Sequence, residues 1–219
     1  MPLAQTLADF KAGATQCETL IANAHKTDAA GAFLFPPLDQ EQITVAALLN
    51  LFVAWETFLE ASLASLMIGS PTISGTQPVR YVSPPSEEQA RAMLIGVQRY
   101  FDYGNHEFVR KIVNMYFQNG YPFEPHLSSI HLELTDLRTM RNSSAHISST
   151  TQIALEALAN RVFSGPRPGI SLYSLLTSVD PRSAGGATVF REYKTKLEIA
   201  ASLIASVNDA NVPRRKGVQ

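Results

Sequence analysis

An arginine and a histidine five residues apart, Arg141 and His146, are the residues of this chain best suited to phosphate chemistry. Arginine carries a planar fork of N–H donors that binds phosphate oxygens in two places, and histidine titrates near neutral pH and can transfer a proton. Asn142 follows the arginine and can orient the imidazole or hold a phosphate. Such groups suit chemistry at a phosphate, because the histidine can transfer a proton while the arginine stabilises charge that develops on the phosphate oxygens.

The spacing alone is weak evidence for a site. A chain with 12 arginines and five histidines contains an Arg-x4-His pair by chance in roughly one case in four. Arg99 and His106 match a looser Arg-x6-His form, but they straddle the helix-breaking Gly104-Asn105. Five residues also separate Arg141 from His146 by about 140° on an ideal helix. The rival interpretation is structural, with His146 interacting with the helix dipole and Arg141 forming an ion pair.

The helix that carries the motif, predicted from residue 126 to residue 146, has charged groups beside its apolar stripe. A wheel at about 100° per residue places Arg141 in the middle of that stripe. The stripe consists of Leu127, Ile130, Leu134, Leu137 and Ala145. A polar row beside it consists of His131, Thr135, Arg138, Asn142 and His146. Glu133, Asp136 and Ser143 are predicted to face water.

A carboxylate in the second predicted helix is the natural partner for the motif arginine. Glu56 lies near the centre of a wide apolar face, where an unpaired carboxylate would cost several kcal/mol. We therefore predict that Glu56 binds Arg141 across a pair of packed helices. The alternative is that both side chains reach solvent at a helix end.

Charge and cysteine content restrict the partners and the location of the chain. The formal net charge is -1, so there is no basic excess to hold a long polyanion, and any contact with RNA must be local. The single cysteine, Cys17, excludes an intramolecular disulfide and favours a reducing, cytoplasmic setting. The apolar run from residue 43 to residue 55 predicts a buried helix that is too short to span a membrane. Asp9 and Lys11 place charges within the first dozen residues, where a secretory signal would have an uninterrupted apolar core.

Helical periodicity dominates the chain and predicts an all-α fold. We expect a single helical bundle of about six to seven helices, with a long loop around residues 70–85 that is rich in Pro, Ser, Thr and Gly. One domain is predicted over residues 1–212, followed by a disordered basic tail over residues 213–219. The predicted helices cover residues 3–24, 39–67, 86–103, 107–118, 126–146, 150–163, 171–177 and 188–208.

Two short segments carry a resemblance to a known family. The run from Leu137 to His146, LRTMRNSSAH, resembles the signature of the HEPN superfamily (higher eukaryotes and prokaryotes nucleotide-binding domain), an Arg-x4–6-His motif with a polar residue after the arginine. The run from Val53 to Leu59, VAWETFL, looks like an early helix of that family, in which an acidic residue supports the motif. The pattern covers residues 40–165, and residue identity supports it over these two segments.

The resemblance implies a metal-independent endoribonuclease that acts as a homodimer, with two motifs facing each other across a cleft. It implies a toxin or an antiviral defence effector, with single-stranded RNA as the substrate and an antitoxin protein as a further candidate partner. Arg141 and His146 would be catalytic, with Asn142, Glu56, Arg138 and His131 in supporting positions. The alternative is a catalytically inactive member that binds RNA, a nucleotide or a protein.

No metal or cofactor is predicted from the sequence. His126 and His131 are five residues apart with Glu133 nearby, but no His-x3-His or His-Glu-x-x-His spacing occurs. His131 is better explained as a member of the polar row.

Overall fold

The computed structural model describes residues 2–96, 99–145 and 148–206. These residues form helices and connecting loops with no β-strand, which confirms the predicted all-α class. Nine α-helices lie within the described residues. They are α1 (Leu3–Ala24), α2 (Pro37–Met67), α3 (Glu87–Ile95), α4 (His106–Tyr116), α5 (Phe123–Ser129), α6 (His131–Ala145), α7 (Ser149–Phe163), α8 (Leu172–Thr177) and α9 (Val189–Ala205).

Local sequence signals account for several helix ends. Ser86 caps α3 by accepting a hydrogen bond from the backbone N–H of Gln89, as its position before two glutamates predicts. Ser148 caps α7 through a capping box with Thr151. The loop predicted around residues 70–85 is present between α2 and α3. It contains a turn at Gly75, whose φ of +83° suits glycine.

The helix predicted over residues 126–146 is wrong, because two helices occupy this region. Ile130 takes a non-helical conformation (φ -117°, ψ 26°), which ends α5 and lets α6 begin at His131. Neither glycine nor proline stands at this break, so the helical spacing of apolar residues continues through it and predicts one helix. The third predicted helix is also too long, since α3 ends at Ile95 with Gly96 as its C-cap at φ +57°. The split at Ile130 turns the eight predicted ranges into nine α-helices among the described residues, more than the six to seven expected for the bundle.

The chain divides into two compact units, and each is assembled from separate stretches of sequence. The first comprises the described residues within Met1–Phe10, Glu56–His131 and Ile199–Gln219. The second comprises the described residues within Lys11–Trp55 and Leu132–Glu198. The prediction of one domain over residues 1–212 remains a prediction, and the tail predicted over residues 213–219 lies outside the described residues.

The first unit has an aromatic and aliphatic core around the second part of α2. Phe10 packs against Phe58 with ring centroids 5.4 Å apart, and Phe117 packs against Phe123 at 5.8 Å. Core residues from α2, α4 and α5 include Leu59, Leu63, Leu66, Val109, Val113 and Leu127. Arg110 of α4 forms a two-point ion pair with Glu124 of α5, so these two helices are joined by charge as well as by apolar packing.

The second unit contains the first part of α2, most of α1 and α9, all of α7 and α8, and α6 from Leu132 onward. Its core includes Leu48, Leu51, Trp55, Leu134, Leu137, Met140, Leu155, Leu158, Leu175, Leu176 and Leu197. Tyr173 of α8 donates a hydrogen bond to the side chain of Gln40 and stacks on His25 with ring centroids 5.8 Å apart. Apolar packing and these polar contacts together fix the helices that flank α6.

Helix α2 contains the apolar run of residues 43–55, and it begins two residues before the predicted range of 39–67. It has 31 residues, and its most apolar 18-residue window has a mean hydropathy of 1.5. Length and composition therefore suffice for a membrane span, contrary to the sequence estimate of residues 43–55. Core helices of soluble proteins pass the same test, and 44% of that window is buried. The predictions of a cytoplasmic location and of no membrane partner remain predictions.

Candidate functional site: the exposed face of α6

The inner face of α6 is fixed by apolar packing. Leu134, Leu137 and Met140 are almost fully buried within the second unit. Two successive spacings of three residues bring these side chains onto one side of the helix. Their burial determines which side of α6 turns toward solvent.

A buried acid strengthens that attachment and corrects the sequence analysis. Asp136 was predicted to face water, yet it is only 4% exposed. It accepts a hydrogen bond of 2.6 Å from the hydroxyl of Tyr193 on α9 and forms an ion pair with Arg161 on α7. The error arises because the wheel places Asp136 on the side away from the apolar stripe, whereas α7 and α9 provide it with partners there.

The pKa values of Tyr193 and Arg161 are both shifted by this contact with Asp136. Burial raises the pKa of Tyr193, and the neighbouring carboxylate of Asp136 raises it further, so the phenol stays protonated and donates its hydrogen bond. The hydrogen bond to Asp136 raises the pKa of Arg161. A second ion pair lies one turn before Asp136 on α6, where Lys196 of α9 donates a hydrogen bond of 2.6 Å to Glu133. Helix α6 is therefore held to two neighbours by charge.

Arg141 lies on the exposed side of α6 rather than in the middle of the core stripe. The guanidinium carbon stands 5.9 Å from the ring centroid of Phe52, and Nη1 donates a long hydrogen bond of 3.4 Å to the side-chain oxygen of Asn142. Ala145, also assigned to the stripe, is exposed, and Met140 is buried in its place. Arg141 is four residues from the end of α6, where its side chain covers an aromatic ring while its charge stays in water.

Arg138 is exposed one turn before Arg141 and belongs to the same surface. We call the surface formed by Arg138, Arg141 and Asn142 the arginine face of α6. Within the second unit, no described carboxylate lies within 4.0 Å of either arginine. Arg141 has contacts with Asn142 and with the Phe52 ring, and Arg138 is exposed.

Other arginines of the second unit behave differently. Arg161, Arg182 and Arg191 each pair with a carboxylate, those of Asp136, Asp180 and Glu18 respectively. Arg167 lies over the ring of Phe163, with its guanidinium carbon 5.1 Å from the centroid. Two adjacent cations without a carboxylate partner in their unit therefore distinguish α6.

The remaining predicted site residues lie in several places. His146 is outside the described residues, because α6 ends at Ala145 and the description resumes at Ser148. Glu56 is half-buried and belongs to the first unit, so its pairing with Arg141 stays a prediction. His131 also belongs to the first unit, where its Nδ1 lies 3.1 Å from Nε2 of His106. That contact joins residues 25 positions apart, which sequence spacing does not reveal. Arg99 and His106 share no helix.

A cavity of about 590 Å³ lies beside the end of α6 in the second unit. Ser143 and Ser144 contribute to one wall, and the start of α7 contributes Thr151 and Gln152. Its floor is apolar, and Glu41 is the charged residue among the described residues that line it. No described basic side chain lines this cavity, so its walls do not suit a phosphate group.

Comparisons of the chain with protein-family models, with curated proteins and with solved structures find no match.

Proposed function

We propose that this chain is a metal-independent endoribonuclease of the HEPN type and that the arginine face of α6 binds the scissile phosphate of single-stranded RNA. The proposal places Arg141 and His146 in the catalytic positions and Asn142 and Arg138 beside them. Its setting would be a toxin or an antiviral defence effector, with a protein antitoxin as a candidate partner.

One observation carries the proposal: Arg138 and Arg141 are three residues apart on one helix, and neither has a carboxylate partner among the described residues of its unit. Arg161, Arg182 and Arg191 of that unit each have one, and Arg167, which also has none, is a single cation in the loop after α7. An arginine that stabilises the fold is normally neutralised by a carboxylate. An arginine that binds a phosphate keeps its donors available for the ligand. Arg138 and Arg141 lie at positions i and i+3 of one helix, so their side chains reach the same region of solvent.

The proposed reaction uses these side chains in distinct roles. The 2′-oxygen of the ribose attacks phosphorus as it loses its proton, and the bond to the 5′-oxygen breaks. His146 takes part in the proton transfers, and the Arg141 guanidinium stabilises the charge that develops on the phosphoryl oxygens. The hydrogen bond from Arg141 to Asn142 orients the guanidinium. The products are a 2′,3′-cyclic phosphate and a 5′-hydroxyl, and no oxidant or metal is consumed.

A homodimer is part of the proposal. One histidine per chain is a small set for a reaction that needs both removal and delivery of a proton, and two-fold symmetry supplies two motifs to one cleft. Gel filtration with light scattering tests this point directly, since a strictly monomeric active protein would contradict a shared cleft.

Cleavage can be tested on a mixture of single-stranded RNA oligonucleotides that contains every dinucleotide step, with EDTA present throughout. Wild-type protein is expected to release fragments that end in a 2′,3′-cyclic phosphate. Arg141→Ala and His146→Ala are each expected to lower the rate about 100-fold or more, as loss of one donor to a developing oxyanion does elsewhere. Glu56→Gln in the same assay reports on the predicted supporting carboxylate.

Arg167→Ala is the matched control, because Arg167 is another arginine of the second unit that lies over an aromatic ring. Its rate is expected to stay within about twofold of the wild type, as for a surface change away from the site. Tight RNA binding without cleavage would contradict the nuclease proposal and favour the alternative, a catalytically inactive binding module. Equal rates for Arg141→Ala and the wild type would contradict the proposed role of the arginine face.

A further inference from the structure

Two histidines and a glutamate come together in the first unit. Nε2 of His106 lies 3.1 Å from Nδ1 of His131. A carboxylate oxygen of Glu107 completes a group whose three potential ligand atoms all lie within 4.8 Å of one another. His106 is buried, His131 is half-buried and Glu107 is exposed, so the group opens to solvent on one side.

The two imidazoles meet through their nitrogens. Their ring planes are inclined at 69°, and the 4.9 Å between ring centroids exceeds the 3.1 Å between the nitrogens. A tetrahedral Zn²⁺ with bonds of about 2.0–2.1 Å to nitrogen holds neighbouring ligand atoms about 3.3 Å apart. The two histidine nitrogens therefore already stand near the separation that one zinc ion requires. The carboxylate of Glu107 is on an exposed side chain and can reach the same ion by a change of rotamer.

The backbone fixes two of these ligands at helix starts. His106 is the first residue of α4, after the N-cap Asn105, whose side chain accepts a hydrogen bond from the N–H of Phe108. His131 is the first residue of α6. The positive ends of helix dipoles oppose a cation. The negative charge of Glu107 offsets that repulsion, so a carboxylate ligand is needed in addition to the two imidazoles.

We propose that His106, His131 and Glu107 form a zinc site with a fourth position open to water. The metal would replace the proton shared by the two imidazole nitrogens and would join the start of α4 to the start of α6. Two histidines, one carboxylate and an open position form a ligand set that suits Zn²⁺. The site is independent of the proposed ribonuclease reaction, which uses no metal.

The test is calorimetric titration of untagged, full-length protein with ZnCl₂, after dialysis against a chelator. The wild type is expected to bind one equivalent per chain and to show a rise in Tm that grows with the zinc concentration, because a ligand that binds only the folded state stabilises it. His131→Gln is expected to weaken binding about 100-fold and Glu107→Gln about tenfold. Cobalt(II) in place of zinc is expected to give the visible absorption of a tetrahedral ion.

His126→Gln is the matched control, since His126 is a half-buried histidine of the same unit on α5, and it is expected to bind zinc as the wild type does. Glu107 is exposed, so its variant tests the site without the risk of unfolding a core position. Absence of one-to-one binding by the wild type would overturn the proposal. Unchanged affinity in both Glu107→Gln and His131→Gln would overturn it as well. The RNA cleavage assay contains EDTA and the zinc titration contains no RNA. A failure of zinc binding therefore leaves the ribonuclease proposal standing, and a failure of cleavage leaves the zinc proposal standing.

Discussion

The inner and outer faces of α6 show two uses of charge on one helix. On the inner face, Asp136 is buried and contacts both Arg161 and Tyr193. On the outer face, Arg138 and Arg141 are exposed, and no described carboxylate of their unit pairs with them. Both faces carry charged side chains, but among the described residues of this unit only the charge on the inner face has a partner of opposite charge.

The difference separates groups that hold the fold from groups available to a ligand. A buried charge that loses its partner is strongly destabilising, so Asp136 and its partners are constrained by folding. Exposed cations that pair with nothing contribute little to stability, and their substitution leaves folding nearly unchanged. Variants of the arginine face should therefore lose RNA cleavage while keeping the free energy of unfolding of the wild type. Variants of the inner face should lower the free energy of unfolding.

The largest expected effect is on stability, from Asp136→Ala. The substitution leaves the Tyr193 hydroxyl without its acceptor and removes the carboxylate from Arg161, so we expect a loss of about 3 kcal/mol in the free energy of unfolding. Urea denaturation followed by circular dichroism measures it. Arg141→Ala should change this free energy by less than about 0.5 kcal/mol. A comparable loss in both variants would remove the distinction between the two faces.

Arg141→Lys sharpens the same comparison on the side of activity. Lysine keeps the positive charge but lacks the planar fork that binds two phosphate oxygens at once. We expect the cleavage rate to fall about tenfold, while the urea midpoint stays that of the wild type. A rate equal to the wild type would mean that Arg141 supplies charge alone.

Arg138→Ala should have a smaller effect, because this arginine lies beside the proposed scissile phosphate. We expect binding of single-stranded RNA to weaken a few-fold and the slope of log affinity against log salt to drop by about one. Fluorescence anisotropy at several salt concentrations measures both quantities. An unchanged slope would exclude Arg138 from the RNA contact.

The smallest effect is a difference in acid stability. Burial raises the pKa of Asp180, but the hydrogen bonds and charge of Arg182 outweigh it and hold that pKa below its ordinary value of 3.8. The stability that this pair contributes is therefore full above about pH 4 and is lost as the pH falls through the lowered pKa. Asp180→Asn should flatten the fall of unfolding free energy below pH 4. Arg141→Ala should leave that slope as it is in the wild type, and a flattening there would reveal a hidden carboxylate partner.

Sequence periodicity was sufficient for most of the helices. The predicted range of residues 3–24 coincides with α1, and the ends predicted for the second, sixth and seventh helices fall within one or two residues of those observed. These ends coincide with strong local signals, such as the Gly-Ser-Pro sequence after Met67 and the Gly-Pro-rich stretch after Phe163. The break at Ile130 was missed because a buried β-branched residue interrupts the helix there without glycine or proline.

The side chains of α6 show why the site was harder to predict than the helix. The wheel identified Leu134 and Leu137 as core residues but placed Arg141 among them and Asp136 in water. A wheel assumes that one face is covered along its whole length. Near the end of α6, Arg141 contacts the ring of Phe52 and is otherwise exposed. Asp136, by contrast, is buried against Arg161 and Tyr193.

The sequence by itself determined the helical class, the position of the long loop after α2 and the Arg141–Asn142 pair as candidate functional groups, because helix period, capping residues and motif spacing are local properties. Tertiary structure alone decided which charges are matched and which are left to solvent. It also brought His106 to His131 across 25 residues. Partners of this kind depend on how distant helices pack, and no local pattern encodes that distance.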